Sequence, residues 1–155
     1  MNILLVEDDS RISSYLIKAL SAVNYNVVLC ETTDEVMALL AQKEFDFDLA
    51  LLDRMLGAEE GGNLLLPLRQ RKANLGIIVL SSLDGASDKA KWLDLGVDDY
   101  IGKPFSLEEL LARIRNVVRH NTKNHPTSET AVVVKNLKIN LLTQQCRVDQ
   151  ALLNL

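Results

Sequence analysis

Five times in the first 120 residues a short apolar run gives way to a segment of helical period, and this alternation constrains the fold more than any other feature of the chain. Ile3–Val6, Val27–Cys30, Leu49–Leu52, Ile77–Leu80 and Tyr100–Ile101 are nearly continuous in apolar character. Strands read that way when helices cover both faces of a sheet. Between and after them lie five helical segments. The first carries Ile12, Leu16, Leu20 and Val23; the last carries Leu107, Leu110, Leu111, Ile114, Val117 and Val118, each set at i, i+3/i+4 spacing. Thr32 with Glu35, and Ser106 with Glu109, match the S/T-x-x-E pattern that opens a helix. The expectation is a five-stranded parallel sheet with right-handed crossovers and helices on both faces.

In such a sheet the carboxyl ends of the strands share one edge, so residues far apart in sequence can converge there. The apolar runs stop at Glu7–Asp8, at Asp53, at Ser81 and near Lys103. Acidic oxygens from two strand ends suit Mg²⁺, which takes near-octahedral oxygen ligands and is usually held by one or two carboxylates together with a phosphate. Asp53 could then serve as a nucleophile toward a phosphoryl group, because cations would neutralise the charge on the equatorial oxygens. Lys103 supplies a point charge for one of those oxygens, and the Ser81 hydroxyl a hydrogen bond for another. Taken singly, each residue has an ordinary reading as a helix cap or a solvated side chain. Four strand ends carrying compatible chemistry favour a site.

The chain has 155 residues, 48% hydrophobic and 25% charged, enough for one good core and a remainder. No apolar stretch approaches the roughly 20 residues of a membrane span, and Met1–Asn2 lead straight into a strand, so a cytoplasmic protein without a membrane partner is expected. Two cysteines, Cys30 and Cys146, form neither a zinc pattern nor a disulfide framework. Cys30 reads as core. Residues 1 to 120 carry 13 Lys and Arg against 19 Asp and Glu, whereas residues 121 to 155 carry 4 against 2. The acidic first part gains nothing from DNA phosphates. Asn121–Glu129, polar and containing Pro126, reads as a linker. Ala131–Val134, Leu137–Leu141 and Cys146–Val148 then alternate like strands.

The strings LLVEDD (Leu4–Asp9), LLDRML (Leu51–Leu56) with Gly61, VLSS (Val79–Ser82) and GVDDYIGKPF (Gly96–Phe105) resemble the receiver domain of two-component response regulators over about residues 1 to 120. The DDY-x-x-KPF string and the strand-like tail resemble the OmpR/PhoB class. This resemblance implies a flavodoxin-like sheet of order 2-1-3-4-5. It implies a receiver at 1–121, a linker at 122–129, and at 130–155 an incomplete antiparallel sheet of a winged-helix DNA-binding domain. It also implies that Asp53 is the phosphoacceptor and that Glu7, Asp8, Asp53 and the Met55 backbone carbonyl are Mg²⁺ ligands. Ser81 and Tyr100 become switch residues, Lys103 the phosphate contact, and Lys103–Pro104 a cis peptide.

By the same resemblance the partners are a sensor histidine kinase and, after phosphorylation, a second copy of the chain. The homodimer would form through the fourth helix, fifth strand and fifth helix, where Lys89, Lys91, Asp94, Asp98, Asp99, Glu109, Arg113 and Arg119 could pair across a two-fold axis. The protein is expected to control transcription and to be no enzyme beyond Mg²⁺-dependent self-phosphorylation and slow autodephosphorylation. The resemblance also implies that the residues two beyond Asp53 and Ser81 are the gates for an attacking water; here they are Met55 and Leu83, neither of which can position a water. The other reading kept is a stand-alone receiver or pseudo-receiver that acts as an interaction module. A haloacid-dehalogenase-type phosphatase would need an Asp where Met55 stands, and a flavin phosphate would be repelled by Glu7–Asp8–Asp9. Two departures from the family stand out. Gly57–Ala58–Glu59–Glu60 replaces a loop that usually begins with Pro, so a looser loop is expected. The given chain stops at Leu155, before any recognition helix, so specific DNA binding by these residues is not expected.

Overall fold

The computed structural model describes residues 1–57, 59–82 and 86–124. Met1–Asn121 form one compact unit. Its centre is a parallel sheet of five strands: β1 (Asn2–Val6), β2 (Asn26–Cys30), β3 (Leu49–Asp53), β4 (Gly76–Ser81) and β5 (Asp99–Gly102). Their spatial order is β2-β1-β3-β4-β5, the flavodoxin-like order expected from the sequence. Every strand starts one residue ahead of its apolar run except β3, which instead runs on to Asp53. The helices are α1 (Ser10–Ala22), α2 (Thr33–Leu40), α3 (Leu65–Arg71), α4 (Ala86–Asp94) and α5 (Leu107–Asn124). A two-residue hairpin, Met55–Leu56 against Glu59–Glu60, and a 3₁₀ turn, Gly61–Leu64, intervene before α3.

Alternate residues of each strand face opposite sides of the sheet, so one strand feeds two cores. Ile3, Leu5, Leu49, Leu51, Ile78, Leu80 and Ile101 pack against Leu16 and Leu20 of α1 and Leu110, Ile114 and Val117 of α5. Leu4, Val6, Ala50, Leu52, Ile77, Val79 and Tyr100 pack against α2, α3 and α4 through Val36, Leu39, Leu68 and Trp92. Each fully buried Leu or Ile contributes about 1.5–3 kcal/mol relative to an exposed one, so the central strands anchor both layers. Cys30 belongs to the second layer and is a free thiol, which burial pushes up to about 11. Val23, expected on the buried face of α1, is instead the exposed C-cap residue, because its backbone N–H turns back to Leu20 and Ser21 and ends the helix there.

Helix starts follow the chemistry of their first residues. Asp9 caps α1 through the Arg11 N–H at 2.9 Å, and Thr32 Oγ1 caps α2 through the Glu35 N–H at 3.1 Å. Glu35 does not close the reciprocal bond to Thr32; its carboxylate takes the N–H of Glu31 at 2.7 Å. Ser106 Oγ accepts from Glu109 N at 3.0 Å, and the Glu109 carboxylate turns to Arg113. α5 runs through Asn124, three residues into the stretch read as a linker beginning at Thr122. No Gly or Pro occurs in that stretch before Pro126, and the restriction a proline places on its neighbour falls on the residue immediately ahead of it. The tail strands, His125 and Cys146 lie outside the described residues.

Candidate functional site: an acidic cluster at the carboxyl edge of the sheet

Register decides which residues meet. Val6, Leu52, Val79 and Tyr100 lie abreast across β1, β3, β4 and β5. One residue further on, Asp53 is level with Leu80, and Glu7 continues β1 by donating its N–H to Cys30 O at 3.1 Å. Glu7, Asp8 and Asp53 are thereby gathered so that a carboxylate oxygen from each lies within 4.8 Å of the others, the one such group among the described residues.

A backbone N–H orients each of these carboxylates. Glu7 Oε2 accepts from Asp9 N at 3.1 Å, Asp53 Oδ1 from Met55 N at 3.3 Å, and Asp8 Oδ2 from Gly57 N at 2.9 Å. Gly57 has φ +63°, outside the range of proline, and proline would carry no N–H. The substitution that suggested a looser loop therefore leaves residue 57 tied to the acidic cluster. Gly61 is constrained as well: its N–H bonds Arg54 O at 2.8 Å, and a Cβ there would collide with the Asp53 carbonyl oxygen.

Lys103 closes the cluster from β5. Its Nζ lies 3.1 Å from Glu7 Oε1 and 3.5 Å from Asp53 Oδ1, and its N–H donates to Ser81 O at 2.6 Å. The Lys103–Pro104 peptide bond is cis. Glu7 is 1% exposed, and burial, followed by its hydrogen bond to Asp53, pushes its carboxyl up to about 7. Crowded carboxylates with one nearby lysine form a site short of positive charge. Their hard oxygens fit a divalent cation of the Mg²⁺ type.

Ser81 and Tyr100 occupy the other side of the sheet edge. Both are 2% exposed, and their hydroxyls share a hydrogen bond. Tyr100 points inward and donates to Asp88 Oδ2 at 2.5 Å; that same oxygen receives Arg54 Nε at 3.3 Å. Sequence reading missed Asp88 and Arg54, which stand 34 residues apart with no spacing signal. Trp92 is 2% exposed and packs in the core.

The eight charges expected on a dimer face are used unevenly within the chain. Asp99 pairs with Arg113 at 2.9 Å, and Arg113 also pairs with Glu109 at 3.1 Å. Asp98 accepts from Ile77 N at 2.8 Å and from Arg69 at 3.2 Å, so it joins β5 to β4 and α3. Arg119 bonds Asn116 at 3.0 Å. Lys91 and Asp94 are exposed, and Lys89 is half-buried. Leu83 lies outside the described residues.

A 2-1-3-4-5 sheet with an acidic triad and a lysine at its carboxyl edge defines a signalling receiver. The family model described as the response regulator receiver domain matches residues 3–115, and the chain belongs to that family. It is 38% identical over 147 residues to the transcriptional regulatory protein BasR of Escherichia coli, covering 94% of this chain and 63% of BasR. It is 36% identical over 141 residues to the cell cycle response regulator CtrA of Brucella ovis, covering 91% of this chain and 59% of CtrA. The chain thus spans about three fifths of the length of these relatives. The non-phosphorylated HemR receiver domain of Leptospira biflexa superposes with TM-score 0.68 at 32% identity, covering 76% of this chain and 93% of that one. The BeF₃-activated receiver domain of Klebsiella pneumoniae RstA gives 0.69 at 32% identity, covering 77% and 99%. Among the described residues no helix is long and apolar enough to cross a membrane.

Proposed function

We propose that Asp53 accepts a phosphoryl group from the phosphohistidine of a sensor kinase. The observation that carries this reading is Lys103 Nζ standing between Glu7 and Asp53, with Asp8 completing the acidic group. An Asp53 carboxylate oxygen attacks phosphorus as the P–N bond of the donor breaks, and the departing imidazole takes a proton. Glu7, Asp8, Asp53 and the Met55 carbonyl would hold Mg²⁺, which supplies charge neutralisation for the transferring oxygens. Lys103 binds one phosphoryl oxygen and the Ser81 hydroxyl another. Tyr100 follows Ser81 on the opposite side of the sheet edge.

In the whole protein this event regulates transcription through an effector domain of which residues 130–155 are the opening part, joined to the receiver of residues 1–121 through 122–129. Phosphorylated receivers pair through α4, β5 and α5, with Lys89, Lys91, Asp94, Asp99, Glu109, Arg113 and Arg119 as candidates for that face and Asp98 contributing from within it. The site of action is the cytoplasm, where a kinase can make phosphohistidine. Intact mass after incubation with acetyl phosphate and Mg²⁺ tests the reading: the wild type gains one phosphoryl group and Asp53→Asn gains none. An equal gain in the variant overturns it.

A further inference from the structure

The phosphoacceptor's neighbour in sequence, Arg54, reaches a helix that Asp53 does not. Its N–H continues the sheet by donating to Leu80 O at 3.0 Å, while its side chain lies 3.3 Å from Asp88 Oδ2 in the first turn of α4. Arg54 and Asp88 are mostly shielded, with side chains 21% and 17% exposed. A pair so placed is screened less than a surface ion pair. The same Asp88 oxygen accepts the Tyr100 hydroxyl from β5, and Tyr100 is hydrogen-bonded in turn to Ser81 at the end of β4. The ends of β3 and β4, the body of β5 and the start of α4 are therefore linked by a continuous polar chain: Arg54 to Asp88, Asp88 to Tyr100, Tyr100 to Ser81.

We infer that Asp88 is a positioning residue that holds Tyr100 inward and pins the first turn of α4. The inference rests on the phosphoacceptor reading for its role in signalling, but not for its geometry. Three features support it. A buried tyrosine needs a partner for its hydroxyl, and leaving that hydroxyl unpaired costs about 1–3 kcal/mol. The Asp88 carboxylate is bonded to it. Arg54, with Lys91 one turn along α4, favours the charged form of Asp88, and the Tyr100 hydrogen bond lowers its carboxyl further than either. Burial, then the bond to Asp88, raises the Tyr100 phenol, and the Ser81 bond opposes this. A phosphoryl group on Asp53 that drew on the Ser81 hydroxyl would change how Ser81 is shared between Tyr100 and that group.

Three variants of the full chain, Asp88→Asn, Tyr100→Phe and Arg54→Gln, test this without phosphate. Tyrosine ionisation followed by ultraviolet absorbance reads Tyr100 against Tyr15 and Tyr25. In the wild type Tyr100 should contribute a step above the ordinary range, and Tyr100→Phe should remove it. In Asp88→Asn the step moves to lower pH, and in Arg54→Gln to higher pH, because a cation near the phenol is lost. Hydrogen exchange of the α4 amides should be about tenfold faster in Asp88→Asn, as expected on loss of a charge-assisted bond, with α1 unchanged. The double variant Asp88→Asn/Tyr100→Phe should exchange no faster than Asp88→Asn alone. An unmoved tyrosine step, or α4 exchange equal to the wild type, overturns the inference. Mass gain with acetyl phosphate, measured in parallel, separates the two claims: Asp88→Asn retains it if Asp53 is the acceptor, and a wild type without mass gain overturns the acceptor reading while the titration still decides the role of Asp88.

Discussion

The indole of Trp92 lies so close over Gly62 that a Cβ at residue 62 would come within 2.9 Å of Cη2. Here the 3₁₀ turn that follows β3 and the short hairpin touches α4, and the contact allows no added atom. Gly62→Ala must push aside a buried ring, and overpacking of this kind costs about 1–3 kcal/mol. Trp92 is the single tryptophan of the chain, so its fluorescence in a urea titration reports the loss directly. An unchanged midpoint would show that the ring moves freely.

Gly61→Ala should be worse for function than for packing alone. The added methyl meets the backbone oxygen of Asp53, which cannot rotate away as a side chain can. The strand end must shift, taking the carboxylate with it. Phosphorylation by acetyl phosphate should slow at least about tenfold, since small displacements of a reacting group are costly. Gly62→Ala should slow it much less.

Metal binding and pH should be linked through Glu7. Its folded-state carboxyl is raised from 4.5 to about 7, chiefly by burial. A raised pKa contributes stability that is fully present below the unfolded value and lost as pH rises through the folded one. The metal-free protein should therefore melt at progressively lower temperature between about pH 5 and pH 8. Mg²⁺ should restore more stability at the upper end, where no proton competes for the carboxylate. Glu7→Gln should flatten the pH dependence and weaken Mg²⁺ binding, measured by calorimetry. A pH profile identical to wild type would remove Glu7 from this linkage.

The lifetime of the phosphorylated form should depend on Met55. Its side chain is half-buried beside Asp53 and cannot orient an attacking water, so the acyl phosphate should decay slowly. Met55→Asn adds a hydrogen-bonding group there and should hasten decay severalfold, followed by intact mass over time. Equal half-lives would exclude a gate at this position.

Arg113 separates stability from association. Its pair with Asp99 is partly exposed on the arginine side, so Arg113→Ala should change monomer stability by no more than about 1 kcal/mol. If α4, β5 and α5 form the face between two copies, the same change should weaken the phosphorylated dimer by tenfold or more in sedimentation experiments, since a pair desolvated at an interface costs more to break. Equal dimerisation would place the face elsewhere.

Much of this was legible in the chain because strands and site obey local rules. The apolar runs ending at Glu7, Asp53 and Ser81 announce both a buried parallel sheet and the edge where their polar successors meet. The contacts that escaped sequence reading belong to long side chains crossing between elements. Arg69 reaches Gly96 O at 2.7 Å, and Arg71 reaches Gln42 O at 3.0 Å, in each case a main-chain oxygen with no sequence signature. The Arg54–Asp88 link also joins distant elements, here through a side-chain carboxylate. Glu35 went astray for a smaller reason: the N–H of Glu31 was within reach as well as that of Thr32, and side-chain torsion chose between them.

The two-faced parity of the strands has a consequence for what changes the chain can survive. Counting by twos, Asp53 follows Leu49 and Leu51 on the side of α1 and α5, and Ser81 follows Ile77 and Val79 on the side of Tyr100 and α4. Deleting a single residue within β3 would exchange its inward sets and present the Asp53 carboxylate to the wrong half of the molecule. Insertions in the connecting loops carry no such inversion. Length variation should therefore be tolerated between elements and purged within them, and a library of one-codon deletions scored for phosphoryl uptake should show gaps at residues 49 to 53 and 76 to 81 and survivors in the turns between.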